Sequence, residues 1–205
     1  MRRTEEEWLV PLPAPPDRIP DATHMRSTWL TASQATLRER GLGPRYEAAL
    51  DRAHRDTVLS VVAGVWIPMA AARAHYLACD ALDLPEDDLL EIGAAATRRA
   101  NATNVAFIVR LAQGAGVTPW TMLAQTQRLW SRTFDGGGAV GVLRQGPKEA
   151  CVRIIGYPLA DIRYNRVTMR GIVSGFVAMF CERLYVREIP AYNDGRSQGL
   201  RLSWV

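Results

Sequence analysis

Residues 166–182 read RVTMRGIVSGFVAMFCE, and this stretch decides the fold class. Met169, Ile172, Val173, Phe176, Val177 and Phe180 recur at intervals of three and four, which places them on one face of an α-helix. On either side of it the period is two. Val140 and Val142 alternate with Gly141 and Leu143, Val152 and Ile154 with Arg153 and Ile155, and Leu200, Leu202 and Trp204 with Arg201 and Ser203. Successive strand side chains leave opposite faces, so alternation of this kind predicts strands. Residues 184–189 form one more strand, and Asn193, Asp194 and Gly195 supply the turn that leads to the last. The second half of the chain therefore reads β-β-α-β-β.

The first half reads as helices. A short strand at 25–30 precedes a helix over 31–40, which Gly41 and Gly43 end. Pro44, Pro68, Pro85 and Pro119 each suit the first turn of a helix. Residues 58–67 are apolar on all sides and are expected to be buried. The helix opened by Pro85 carries Glu86, Asp87 and Asp88 where the helix dipole favours acid, and runs with a break near Asn101 to Asn104 as far as about Gln113. Thr118 and Pro119 start a last helix that stops at Gly136, Gly137 and Gly138, a run read as a flexible connection because no phosphate-loop Lys or helix follows it. Pro11, Pro13, Pro15, Pro16 and Pro20 make residues 1–22 an extended tail, leaving 23–205 as a single α+β domain: an N-terminal helical layer on a small, mostly antiparallel sheet.

Composition narrows the function classes. The chain has 205 residues, 48% of them hydrophobic and 22% charged, so it can bury a core and is not a disordered segment. Three Cys exclude a disulfide scaffold or a four-Cys zinc finger. The acidic start lacks the apolar region of a signal peptide, and the longest uncharged run is too short to span a bilayer, so a cytoplasmic protein is expected. Of 25 basic residues, 24 are Arg, with Lys148 the exception. Residues 1–91 hold 10 basic and 15 acidic side chains and residues 92–205 hold 15 and 6, so a net charge of +4 conceals an acidic leading half and a basic sheet half. Attraction between the halves, or between two protomers, follows from that split.

Catalytic constellations are thin. His24, His54 and His75 are the only histidines, and no nucleophile elbow, Walker loop or His-Glu-x-x-His occurs. His75 and Cys79 share a helix face, but no second pair completes a tetrahedral metal set. No catalytic, metal or cofactor residue is assigned. Arg153, Arg163, Arg166 and Arg170 lie near Tyr157 and Tyr164, yet no nucleic-acid reading motif accompanies them, and a solvated Arg-rich surface is expected. Gly171, Ser174, Gly175 and Ala178 give the 166–182 helix a second face of small residues, suited to packing on the sheet or to a dimer seam.

Gly156-Tyr157-Pro158, Tyr164-Asn165-Arg166, the helix from Met169 to Phe176, Leu184-Tyr185-Val186-Arg187-Glu188 and Leu200-Arg201-Leu202-Ser203-Trp204-Val205 together resemble the 4-vinyl reductase domain and its relatives, the TRAPP-subunit and haem-NO-binding-like fold group. Trp66-Ile67-Pro68, Glu91-Ile92-Gly93 and Leu129-Trp130 with the glycines after it are similar to a paralogous family abundant in myxobacteria, itself similar to that group. The resemblance covers about residues 25–205. It implies a helical layer on an antiparallel sheet and a sensory or binding module that holds a small hydrophobic effector, a tetrapyrrole or a lipid, or that dimerises. The 4-vinyl reductase pattern has cysteines near its last helix and hairpin. Here only Cys181 stands there, so no zinc site is carried over. The Tyr-x-Ser-x-Arg propionate motif of the haem-binding relatives is also absent, although His75 or His54 offers an axial ligand.

The expected function is a non-enzymatic regulatory module, a homodimer, that binds a small hydrophobic or aromatic ligand between the helices and the sheet, with neither nucleic acid nor a membrane span involved. Trp66, Tyr76, Phe107, Trp130 and Tyr157 are the expected lining residues, because large aromatics on helices standing off a sheet enclose apolar space. The alternative is a ligand-free protein-interaction subunit that uses the proline tail and the basic half, and a third reading is a haem sensor or an enzyme.

Overall fold

The computed structural model describes residues 7–100 and 118–205. Five strands form an antiparallel sheet in the order β1 (Glu7–Val10), β5 (Ala139–Gly146), β6 (Glu149–Ile155), β8 (Ser197–Trp204), β7 (Leu184–Glu188). A second, three-stranded antiparallel sheet has β2 (His24–Arg26) between β3 (Trp66–Pro68) and β4 (Phe134–Asp135). The helices are α1 (Ser27–Glu39), α2 (Gly43–Ala49), α3 (Arg55–Leu59), α4 (Met69–Asp80), α5 (Glu86–Ala100), α6 (Pro119–Leu123), α7 (Thr126–Thr133) and α8 (Arg163–Val177). The predicted α+β class and the β-β-α-β-β ending are both present.

Register explains how the larger sheet acquires its core face. Val142 pairs with Val152, which pairs with Leu200, and Val140 pairs with Ile154. All five are buried against the helices. The opposite face is covered at one end by the Pro-rich segment, where Ile19 packs on Ala139 and Ile155 with Leu12 and Ala14 beside it. Burying a side chain of this size contributes roughly 1.5–3 kcal/mol. Residues 7–22 lie extended along the sheet. Glu7 to Val10 add an edge strand to β5, Gly138 N–H donates to Pro20 O at 2.8 Å, and Arg196 pairs with Asp21. The prolines that follow β1 carry no N–H, so the segment lies against the sheet with fewer donors to satisfy.

Other sequence expectations shift for local reasons. Residues 25–30 are not one strand: β2 ends at Arg26 and α1 takes over at Ser27. Residues 58–67 are not uniformly buried, since Val62 is 65% exposed and Val65 and Trp66 also face solvent. There the chain turns at Gly64 (φ +87°), and β3 alternates on a sheet edge, so Ile67 points in and Trp66 out. The helix after Pro119 is broken, α6 ending at Leu123 and α7 beginning at Thr126. The expected break near Asn101 to Asn104 and the continuation to Gln113 lie outside the described residues.

The small-residue face of α8 packs on neither the sheet nor a second copy. It meets α5. A Cβ at Gly93 would overlap the carbonyl of Thr168, and one at Gly171 the carbonyl of Leu90. Thr97 Oγ1 donates to Ile172 O at 3.2 Å across the same contact. Arg170 pairs with Glu86 at 2.6 Å, one of the bonds through which the basic half meets the acidic half; Arg73–Asp161, Arg144–Glu7 and Arg196–Asp21 are others. No helix among the described residues is long and apolar enough to cross a membrane.

Candidate functional site

α1, α4, α6, α7 and α8 stand over β5 and β6 and border a part-open cavity of about 130 Å³. Met25, Trp29, Tyr76, Leu129 and Trp130 line one side, Val140, Val152 and Ile154 the sheet side, and Met169, Val173 and Phe176 the α8 side. The apolar stripe that identifies α8 in the sequence is the stripe that faces this space.

Of the sequence-predicted residues, Tyr76, Trp130 and Tyr157 are brought together here. Trp66 is not. It lies on the outer face of β3 under the Arg26 guanidinium, 4.1 Å from the ring centroid, a cation–π contact at the surface. Phe107 lies outside the described residues. Trp120 is also elsewhere, edge-on to Trp204 at 4.7 Å. Sequence reasoning missed Trp29, because reading 25–30 as a strand hid it. The available signal was the helical spacing of Leu30, Ser33, Gln34 and Leu37, all buried, which extends α1 back to Ser27.

Local sequence explains the aromatic wall. Trp130 stacks on Phe134 with ring centroids 4.1 Å apart, and Tyr157 meets both edge-on. The three glycines before β5 hold it in place. Gly138 takes φ +74° and presents bare backbone to the indole, where a Cβ would collide, while Trp130 Nε1 donates to Gly137 O at 3.2 Å. The run expected as a flexible connection is close-packed.

Hydrogen bonding in the wall is almost complete. Tyr157 Oη donates to Asn165 Oδ1 at 2.7 Å, and Asn165 Nδ2 donates to Leu159 O at 3.0 Å. Trp29 Nε1 reaches Thr133 Oγ1, and the Thr126 and Thr133 hydroxyls return to their own helix at Leu123 O and Leu129 O. Tyr76 lies beside these groups and is 6% exposed. Burial raises the Tyr76 phenol well above its ordinary pKa, with the nearby Tyr157 adding to the effect, so both stay neutral.

Next to the cavity, behind Tyr76, lies a buried polar cluster. Tyr46 Oη and His75 Nδ1 are 2.6 Å apart, and Gln34 Nε2 donates to Tyr46 Oη. His75 Nε2 faces Cys79 Sγ at 3.6 Å. Burial lowers the His75 pKa to about 3. His75 and Cys79 do share a face, but among the described residues no group of three metal-ligating side chains forms. Arg163, Arg166 and Arg170 bond to Leu84 O, Ala160 O and Glu86, Arg153 lies over Tyr192, and Tyr157 and Tyr164 are buried, so basic and aromatic groups do not interleave on a surface.

A helical layer bordering an apolar cavity against an antiparallel sheet defines the architectural class. Comparison with known proteins narrows it. No family model matches the chain, and no curated protein does. Solved structures of H-NOX domains share the fold. One, from work probing heme distortion in the H-NOX family, is 12% identical with a TM-score of 0.62 over 88% of this chain and 95% of that one. A mutant of the T. Tengcongensis H-NOX gives 0.61 at 12% identity over 88% and 97%. The oxygen complex of an oxygen-binding H-NOX domain related to soluble guanylate cyclases gives 0.59 at 12% over 88% and 95%. The haem-NO-binding-like part of the sequence resemblance is thus matched in fold, while no family model or curated relative supports the 4-vinyl reductase or myxobacterial part.

The fold likeness raises haem as an occupant, and the residues present do not fit it. The described lining contains no His and no Cys, and no Arg or Lys to pair propionates; its thioethers, Met25, Met122 and Met169, have no His in the lining to serve as a second axial ligand. His75 points away into the Tyr46 cluster, and residues 101–117 contain no His, Cys, Met, Tyr or Lys. Tyr76 and Tyr157 are held as neutral phenols, which makes them poor iron ligands. The volume is also small: ligand pockets for drug-sized molecules run to roughly 300–1,000 Å³.

Proposed function

We propose that this chain is a sensory or regulatory module that takes a small apolar molecule into the cavity between its helices and its sheet. One observation carries the reading, an apolar space of about 130 Å³ walled by Trp29, Tyr76, Trp130, Tyr157 and Phe176 in the middle of the core. Protein interiors are packed like organic crystals, so an apolar recess of this size leaves side-chain contacts unmade that an occupant supplies. An engineered apolar cavity of about 150 Å³ binds benzene, which sets the scale of the occupant at one ring. The fold shared with H-NOX domains supports a ligand-holding role; the aromatic lining and the absence of His, Cys, Arg and Lys from the described lining argue for a different occupant.

Trp29 and Trp130 line the cavity, so intrinsic fluorescence reports on it directly. Toluene is expected to give a saturable change that Val173→Phe, which fills the space, abolishes. No saturable response in the unmodified chain sinks the reading. The haem alternative is favoured by the H-NOX neighbours and is tested by adding hemin. A saturable one-to-one Soret shift establishes it in place of the present reading, and unbound hemin spectra leave the apolar-ligand reading standing.

A further inference from the structure

The outer face of the large sheet, away from the helices, is covered at one end only, where Trp8 and Leu12 lie over Gly141. Over β8 and β7 the same face holds an open recess of about 540 Å³. Register orders its floor. Glu149, Ser203 and Tyr185 stand side by side in one row, Cys151, Arg201 and Arg187 in the next, and Arg153 and Gly199 in the third. Arg201 is bonded to Glu149, but Arg187 and Arg153 pair with no carboxylate among the described residues; Arg153 lies over the Tyr192 ring at 4.4 Å. Glu188 borders the recess too, with its carboxylate engaged by Asn193 and Gln198. The face therefore carries a positive excess. Like charges directly opposite on neighbouring strands are destabilising, and Arg187 stands opposite Arg201 in that way. An acidic partner removes the repulsion.

β7 is also the last strand of its sheet among the described residues. Ile189 N–H donates to Gly199 O and Val205 N–H to Arg183 O, so the odd-numbered residues of this stretch bond towards β8. The N–H and C=O groups of Leu184, Val186 and Glu188 therefore point the other way, to the edge. A strand laid there sets alternate side chains beside Tyr185 and Arg187 on the outer face. Its remaining side chains fall beside Leu184 and Val186, which are apolar and only partly buried. We propose that β7 is a docking edge for an extended segment of a partner protein in which acidic and apolar residues alternate. Main-chain bonds to the edge hold the segment, and its carboxylates against Arg187 and Arg201 select it. Basic strands, a second β7 included, are repelled by the same two arginines. This edge lies apart from the cavity on the helix side, so the two readings stand or fall independently.

The probe is a fluorescein-labelled peptide of alternating Val and Glu, six residues long, titrated with the full chain and followed by anisotropy. Saturable binding is expected. Arg187→Glu is expected to weaken it about tenfold or more, while Arg132→Glu, the same charge change at an exposed position of α7, leaves it within about twofold. The same peptide with every backbone amide N-methylated keeps its charge and cannot pair with an edge, so about tenfold weaker binding is expected of it as well. No saturable binding to the unmodified chain overturns the docking edge, and so do equal losses from Arg187→Glu and Arg132→Glu. Undiminished binding of the N-methylated peptide overturns it too, since charge alone then accounts for the contact. A thymidine oligonucleotide that binds more tightly than the peptide reassigns the face to nucleic acid.

Discussion

Gly93 on α5 lies so close to the carbonyl of Thr168 on α8 that a methyl group in place of its hydrogen would overlap the oxygen. The relation recurs one turn away, between Gly171 and the carbonyl of Leu90. Both clashes are with backbone, which has no rotamer to escape into. Gly175 differs, because its nearest neighbour is the Thr97 side chain at 3.0 Å.

Gly93→Ala and Gly171→Ala are therefore expected to destabilise by about 3 kcal/mol each, the upper end for overpacking, even after the gain of about 1 kcal/mol in helix propensity. Gly175→Ala is expected to cost less than about 1 kcal/mol, since Thr97 can yield. Thermal melts decide it: drops of roughly 6–12 °C for the first two and a few degrees at most for the third. Equal effects at all three positions would contradict the close crossing.

His75 makes stability depend on pH. Burial lowers its pKa from 6.5 to about 3, so between those values the unfolded chain binds a proton that the folded chain does not. Its contribution is fully present above about pH 6.5 and is lost as pH falls towards 3, with a slope of at most about 1.4 kcal/mol per pH unit. Tyr46 and Cys79, the groups facing it, are pushed up by burial and do not titrate in this window. Denaturant melts from pH 7 to pH 4 are expected to flatten in His75→Gln; an unchanged slope would place the acid sensitivity elsewhere.

Loss of the Tyr157 hydroxyl is expected to weaken the core. Tyr157→Phe strands the Asn165 Oδ1 acceptor there and is expected to cost about 1–3 kcal/mol. Equilibrium unfolding of the variant beside the unmodified chain reads the cost, and an unchanged midpoint would contradict it.

β1 covers the edge of β5, pairing Trp8 with Leu143. Removal of residues 1–10 exposes the N–H and C=O groups of that edge, and bare edges recruit other strands. Light scattering is expected to show oligomers or aggregates in the truncated chain. A monodisperse truncated protein of unchanged size would assign β1 no protective role.

These residues also show what a sequence discloses. α8 and the four strands around it are legible because each carries one period over enough residues, and the period comes from which face is buried. Tyr76, Trp130 and Tyr157 are legible as aromatics near a sheet. Trp66 misleads because an apolar run has the same composition whether it enters the core or forms a three-residue edge strand, and only the pairing with β2 decides which side chains point in. The small-residue face of α8 is visible in the sequence, but its partner is not, since Gly93 stands far from Gly171 along the chain and nothing local links them.

The glycine crossing also fixes how the cavity wall is carried. α8 contributes Met169, Val173 and Phe176 to the cavity and rests through Gly171 on α5. A side-chain interface would absorb small displacements by rotamer changes; backbone against backbone leaves little slack. The Arg170–Glu86 ion pair, one residue from Gly171 and more than half exposed on the Glu side, ties the same two helices at the surface, so the wall that α8 presents is set by α5 as much as by the sequence of α8 itself.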